Sequence, residues 1–251
     1  MIKVEQISKS FQETQVLNNI SFEIKKGDFV AVMGPSGSGK STLLYSVSGM
    51  DSISNGKVLF EGINISNLKE EKLSSFRLTK MGFVFQNAQM LKNLSIFDNI
   101  TLPGLVAKKD APEDIRKRAS KLMKRMGIDG MEKRDIREVS GGQLQRASIC
   151  RAMINNPEIL FLDEPTGALN SGATDQVLAI LEDLNREGMT IMTVTHDQRV
   201  AVRARKVLYI RDGQIAASKE FLSTGLERER ELEEWLKRLA HSEMVGKDSS
   251  K

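Results

Sequence analysis

Residues 29–47 read FVAVMGPSGSGKSTLLYSV, and this stretch decides the fold. Phe29 to Met33 is an apolar run of strand length, and Thr42 to Val47 resumes apolar residues at helical spacing. Between them GPSGSGKS, residues 34–41, sets a glycine-rich turn at a strand-to-helix junction, the context that a phosphate-binding loop requires. Gly34, Gly37 and Gly39 allow the backbone to close around phosphates, and the N–H groups opening the helix point at their negative charge. Lys40 adds a point charge suited to the β- and γ-phosphates and Ser41 offers a hydroxyl to Mg²⁺. Pro35, Ser36, Ser38 and Thr42 complete the expected nucleotide-binding set. Kinases, GTPases and strand-exchange ATPases carry such a loop alike, so it names the ligand class and not the job.

Working outward, further strand-length runs recur at Val58 to Phe60, Gly82 to Phe85, Ile159 to Asp163, Thr190 to Thr195 and Val207 to Ile210, separated by longer helical patterns. That alternation predicts an α/β fold with a largely parallel core sheet. Val4 to Gln6 and Ile20 to Ile24 alternate as half-buried strands do, which predicts an antiparallel layer beside the core. Between Gln86 and Ser140 the strand signals stop. Ile115, Ala119, Leu122, Met123 and Met126 recur at helical spacing, with Pro112 at an early helix position and Gly127 as a stop, so a helical insert is expected. Asp212-Gly213 is a tight-hairpin signal leading into Gln214 to Ala216. The expected organisation is an ATP-binding domain over residues 1–218 with a helical subdomain about 87–145, then a C-terminal helical extension over 219–251. In that extension Leu232, Trp235, Leu236 and Leu239 form a narrow apolar stripe, and the polar terminus is expected to fray.

ILFLDE, residues 159–164, ends four apolar residues in two carboxylates. A buried strand of this kind delivers Asp163 to an Mg²⁺ shell and leaves Glu164 where it can polarise water. As general base, Glu164 would supply about 10²- to 10⁴-fold of rate.

VSGGQLQR, residues 139–146, closely resembles the signature motif of ATP-binding cassette ATPases, and the resemblance spans roughly residues 2 to 216. Ser140, Gly141, Gly142 and Gln143 carry it, presenting a hydroxyl and unhindered N–H groups at a helix start. The resemblance implies an α/β P-loop NTPase: a RecA-like core with a parallel sheet, an N-terminal antiparallel β layer and an inserted helical subdomain. It implies that Gln86, ending GFVFQ, senses Mg²⁺ and water, that His196, in TVTHD, contacts the γ-phosphate, and that Phe11 stacks on adenine. The expected catalytic set is then Glu164, His196 and Gln86, with Ser41, Gln86 and Asp163 around Mg²⁺ and ATP as the nucleotide. Asn170, in GALNS, stands where the family usually has Asp, which keeps an acceptor and loses a charge. VFQNAQMLKNLSIFDNITLP with DEPTGALNS looks like the branch containing macrolide-exporter, lipoprotein-releasing and bacitracin-resistance ATPases. The GAL variant and the extension past residue 216 lean toward the antimicrobial-peptide resistance group, whose permeases resemble the cell-division permease FtsX.

Composition agrees with a motor that acts through a partner. With 251 residues, 40% hydrophobic and 28% charged, the chain holds enough apolar material for one sizeable core. Its apolar runs fall far short of the ~20 residues that span a bilayer, and its first ten residues lack a secretory signal, so a cytoplasmic location is expected, and the permease that the resemblance implies would hold the chain at the cytoplasmic face of the membrane. The single Cys150 forms no internal disulfide or cysteine-based zinc module and is expected to be a buried, inert thiol. A net charge of +4 is small for this length and names no partner. The resemblance implies two partners: a second copy that sandwiches ATP, and an integral membrane permease. Lipoprotein release or a division and cell-wall regulator is the alternative reading. Nucleic acid is not expected, because DNA-handling relatives carry long coiled-coil insertions or zinc modules.

Overall fold

The computed structural model describes residues 1–248, with side chains through Ala240. In chain order the elements are strands β1 (Ile2–Phe11), β2 (Thr14–Ile24) and β3 (Phe29–Met33), helix α1 (Lys40–Val47), strands β4 (Asn55–Phe60) and β5 (Ile63–Asn64), helix α2 (Glu70–Lys80) and strand β6 (Met81–Val84). Then follow helices α3 (Ile96–Ala107), α4 (Pro112–Arg125) and α5 (Gly141–Met153), strand β7 (Ile159–Asp163), helix α6 (Ser171–Arg186) and strand β8 (Thr190–Val194). Helix α7 (Gln198–Ala201), strands β9 (Lys206–Arg211) and β10 (Gln214–Glu220) and helix α8 (Gly225–Asp248) complete the order.

Two sheets carry these strands. The larger runs β10-β9-β3-β8-β7-β6. Five of its strands are parallel, and only β10, joined through the Asp212-Gly213 turn, is antiparallel to its neighbour. The smaller sheet, β2-β1-β4-β5, is antiparallel throughout. Val58 to Phe60 therefore belongs to the antiparallel layer and not to the parallel core, a pairing that alternation along one strand does not encode.

Strand alternation splits the parallel sheet between two cores. Phe29, Ala31, Leu160, Leu162 and Ile191 face the helical side, whereas Val30, Val32, Phe161, Met192 and Val194 face α1 and the antiparallel layer. All of these are buried on both faces, as parallel strands covered on each side must be. Each of the larger side chains, Ala31 excepted, contributes about 1.5–3 kcal/mol of burial.

The helical insert forms as α3 and α4 with α5 alongside, and α5 runs on past residue 145 to Met153. Pro112 occupies the first turn of α4, Gly127 follows its end at φ 62°, and Ile115, Ala119 and Met123 are its buried face. At the C-terminal side, β10 extends to Glu220 and Phe221 is buried, so the core continues past the expected boundary at 218. Leu232 of α8 is buried with Trp235 and Leu236 against the helical-side core, and the Trp235 ring meets Tyr209 edge-on at 6.4 Å. The apolar stripe thus folds back on its own domain. The expected fraying concerns the polar terminus, whose last residues lie outside those described. No described helix is long and apolar enough to cross a membrane.

Candidate functional site

Four adjacent parallel strands, β3, β8, β7 and β6, end at one edge of the sheet, and each passes directly into a segment singled out from sequence. From β3 the chain enters the 34–41 loop, from β8 it reaches Thr195 and His196, from β7 Glu164, and from β6 Phe85 and Gln86. The carboxyl edge of such a sheet is where α/β folds bind ligands.

Local chemistry explains the loop. Gly34 has φ 155°, and a Cβ there would sit 2.1 Å from the Ile210 carbonyl oxygen. Gly39 caps α1 in the left-handed region at φ 97° with no side-chain hydrogen bond, so the N–H groups of the first helical turn face outward. Pro35, Ser36 and Gly37 are exposed, while Ser38 is buried with a hydroxyl that has no partner. Lys40 Nζ donates to the carbonyls of Gly34 at 2.9 Å and Pro35 at 2.7 Å, and burial lowers its pKa against the raising influence of Glu164 and Asp163.

Asp163 is gripped from α1. Ser41 Oγ donates to its Oδ1 at 3.0 Å, and Tyr45 donates its hydroxyl to Oδ2 at 2.5 Å. Burial first, and then this bond to Asp163, push the Tyr45 phenol well above its ordinary pKa, so it remains the donor. Glu164 adopts φ 47°, a left-handed conformation rare outside glycine, and its carboxylate turns toward β8. Its Oε1 lies 2.9 Å from His196 Nδ1 and its Oε2 accepts from Thr195 Oγ1 at 3.2 Å. The Glu164 side chain is 15% exposed and that of His196 71%. An acceptor held between a hydroxyl and an imidazole, lining an open hollow with Thr166 and Gly167, can orient and deprotonate water.

Gln86, Phe11 and the Ser140–Gln143 turn are each held by other parts of the fold. Gln86 is exposed, and its side-chain amide packs against Gly167 so closely that a Cβ there would come within 2.8 Å of Nε2. Phe11 ends β1 with its ring 48% exposed and Lys9 Nζ 4.7 Å from its centroid, so it is a surface ring and not a core one. Ser140 caps α5 in a capping box: Gln143 N–H donates to Ser140 Oγ at 3.3 Å and Ser140 N–H donates to Gln143 Oε1 at 2.8 Å. Gly141 and Gly142 pack toward Leu169 and Ala173. Within one chain the Ser140–Gln143 turn is therefore placed beside the start of α6. Asn170 is the N-cap of α6, accepting from Ala173 N–H at 2.9 Å, a role that needs no charge. The roles of Tyr45, Thr195 and Gln145 carry no local sequence signal; each is defined by a partner distant along the chain.

Among known proteins, the chain matches the family model described as ABC transporter over residues 17–167. It is 43% identical over 219 residues to the macrolide export ATP-binding/permease protein MacB of Mannheimia succiniciproducens, covering 86% of this chain but 34% of that protein. It spans, in other words, about a third of the macrolide exporters' length. The ABC transporter ATP-binding protein YxdL of Bacillus subtilis is likewise 43% identical over 219 residues, covering 86% of this chain and 85% of YxdL. Among solved structures, the ATP-binding cassette MJ0796, a dimer in a post-hydrolysis state bound to ADP and Pi, superposes with a TM-score of 0.83 at 34% identity, covering 89% of this chain and 100% of that one. cbiO1 of Clostridium perfringens, part of the complex cbiONQ, gives 0.79 at 28% identity over 87% and 88% of the two chains.

Proposed function

The chain belongs to the ABC transporter family and is an ATP-binding ATPase, and from that premise we propose that it is the motor subunit of a transporter, working as an ATP-closed pair of its own copies on a separate membrane permease. The observation that carries the reading is the convergence of the 34–41 loop, Asp163, Glu164 and His196 at one sheet edge.

The residues fit the nucleotide and its metal. The orphaned Ser38 hydroxyl, the uncapped start of α1 and Gly34, where no Cβ fits, make a cradle for phosphate oxygens. Ser41 and Asp163 are hard oxygen donors 3.0 Å apart, the chemistry Mg²⁺ selects, with Gln86 as the third residue of its set. When bound there, Mg²⁺ supplies neutralisation of charge on the phosphates. Lys40 holds the β- and γ-phosphates, exchanging its loop carbonyls for them. Phe11 offers the exposed ring face on which adenine stacks. Glu164, oriented by Thr195 and His196, takes the proton of the attacking water, and His196 faces the γ-phosphate.

The Ser140–Gln143 turn packs beside the start of α6 in its own chain, and it supplies the second anion-binding surface to the loop of the other copy. The dimeric state of the related cassette supports this pairing. ATP binding closes the pair, hydrolysis reopens it, and the groove between the core and α3, lined by Met50, Arg77, Phe85, Leu91 and Arg151, passes the motion to a permease segment. YxdL, matched over most of its length, is named as an ATP-binding protein alone, which favours motor and permease on separate chains and a peripheral position on the membrane's cytoplasmic face. We assign the permease to the FtsX-like kind and its task to antimicrobial-peptide resistance. Macrolide export is the second reading, favoured by equal identity to MacB.

Glu164→Gln tests the mechanism. It keeps ATP binding, loses about 10²- to 10⁴-fold of turnover, and accumulates a dimer with ATP that light scattering detects. A monomer that hydrolyses ATP at the unsubstituted rate contradicts it.

A further inference from the structure

Gln145 lies one turn into α5 and is 2% exposed. Its Nε2 donates to the Pro165 carbonyl at 2.8 Å and to the Phe85 carbonyl at 3.2 Å. A side-chain amide nitrogen carries two hydrogens, so this donor is fully committed. Its two acceptors belong to the residues directly after Glu164 and directly before Gln86. One buried side chain therefore fixes the backbone beside both. Further along the same helix, Arg151 donates to the Ala88 and Gln89 carbonyls at 2.7 Å each, continuing the grip on the segment after Gln86. The same helix begins at the Ser140 cap.

From this geometry we infer that Gln145 is a positioning residue that couples the place of the Ser140–Gln143 turn to the alignment of Glu164 and Gln86 in the same chain. This rests on the composite-site reading above. When the turn of one copy settles on the nucleotide held by the other, α5 moves as a rigid rod, and the paired bonds of Gln145 carry that displacement to the strand ends of its own site. Closure at one nucleotide is thereby felt at the second. Misplacement of reacting groups by about 1 Å costs on the order of 10²-fold in rate while leaving ground-state binding intact. A residue acting in this way affects kcat and spares KM.

The test uses the full chain with Gln145→Leu, alone and on top of Glu164→Gln. The double variant forms the ATP-dependent dimer as Glu164→Gln alone does, and Gln145→Leu alone hydrolyses ATP at least about tenfold more slowly with KM within about threefold of the parent. Turnover within threefold of the parent overturns the inference. So does joint loss of dimerisation and turnover with a lowered Tm, which marks a purely structural role. Failure of Glu164→Gln alone to dimerise sinks the functional reading itself, whatever Gln145→Leu does.

As a second variant, Gln145→Glu carries the same test. A carboxyl buried between two carbonyl oxygens favours its protonated form, which donates one of the two bonds. At a pH where its Tm matches the parent's, its turnover falls below the parent's while KM stays within about threefold, and turnover equal to the parent's there overturns the proposal.

Discussion

Leu232→Ala probes whether α8 belongs to the motor domain. Leu232 is 1% exposed and sits in the helical-side core, with Trp235 and Leu236 packed beside it. Truncation to alanine forfeits the burial of the side chain beyond Cβ and leaves a cavity. Buried leucine truncations cost about 2–5 kcal/mol, and a site under a peripheral helix, able to settle inward, belongs at the lower end, about 2–3 kcal/mol. In a chain of this size each kcal/mol moves Tm by about 2–4 °C, so a fall of about 5–10 °C is expected. Trp235 is the only tryptophan and lies on the same face, so its fluorescence in a urea or thermal titration reports α8 directly. Nucleotide affinity is unchanged, because α8 supplies nothing to the site. A loss below about 0.5 kcal/mol, or a Trp235 transition that precedes global unfolding, refutes the reasoning.

Two further outcomes follow from single side chains. Burial pushes the Cys150 thiol up to about 12 from the usual 9.0, so the native chain reacts with no thiol reagent at pH 8 and the denatured chain with one equivalent. Because the folded value is the raised one, its contribution to stability is full below pH 9 and is lost as pH rises toward 12. Tyr45→Phe removes one of the two donors on Asp163, and the Mg²⁺ concentration that half-saturates ATP binding rises about tenfold, read by fluorescent-nucleotide titration; an unchanged midpoint contradicts the role given to the hydroxyl.

The parallel core was legible because burial on both faces forces continuous apolar runs: Phe29–Met33 and Ile159–Asp163 are the strands expected, residue for residue. Helix α2 was not legible, because its apolar face is only Leu73 and Phe76, half-buried against the antiparallel-layer core, and none of its residues is fully buried. Helix α3 was masked by Pro103, which lies inside it although proline usually marks an end. In the site, the loop and the two carboxylates declared themselves through local motifs. The hold of Tyr45 on Asp163 and of Gln145 on two strand ends did not, since these bonds join residues 118, 60 and 20 apart in sequence. Asn170 illustrates the reverse: the missing charge stood out in sequence, and the capping bond shows what the amide does.

The central claim is that the site is complete only when two copies meet, and mixing two inactive variants tests it most directly. Lys40→Ala disables the phosphate loop and keeps the Ser140–Gln143 turn, while Ser140→Arg disables the turn and keeps the loop. Each alone hydrolyses no ATP above background. In a mixed pair, the intact loop of one faces the intact turn of the other, so ATP hydrolysis returns on mixing, scaling with the product of the two concentrations. A mixture as inactive as its components, or a Ser140→Arg chain that hydrolyses ATP unaided, contradicts the account.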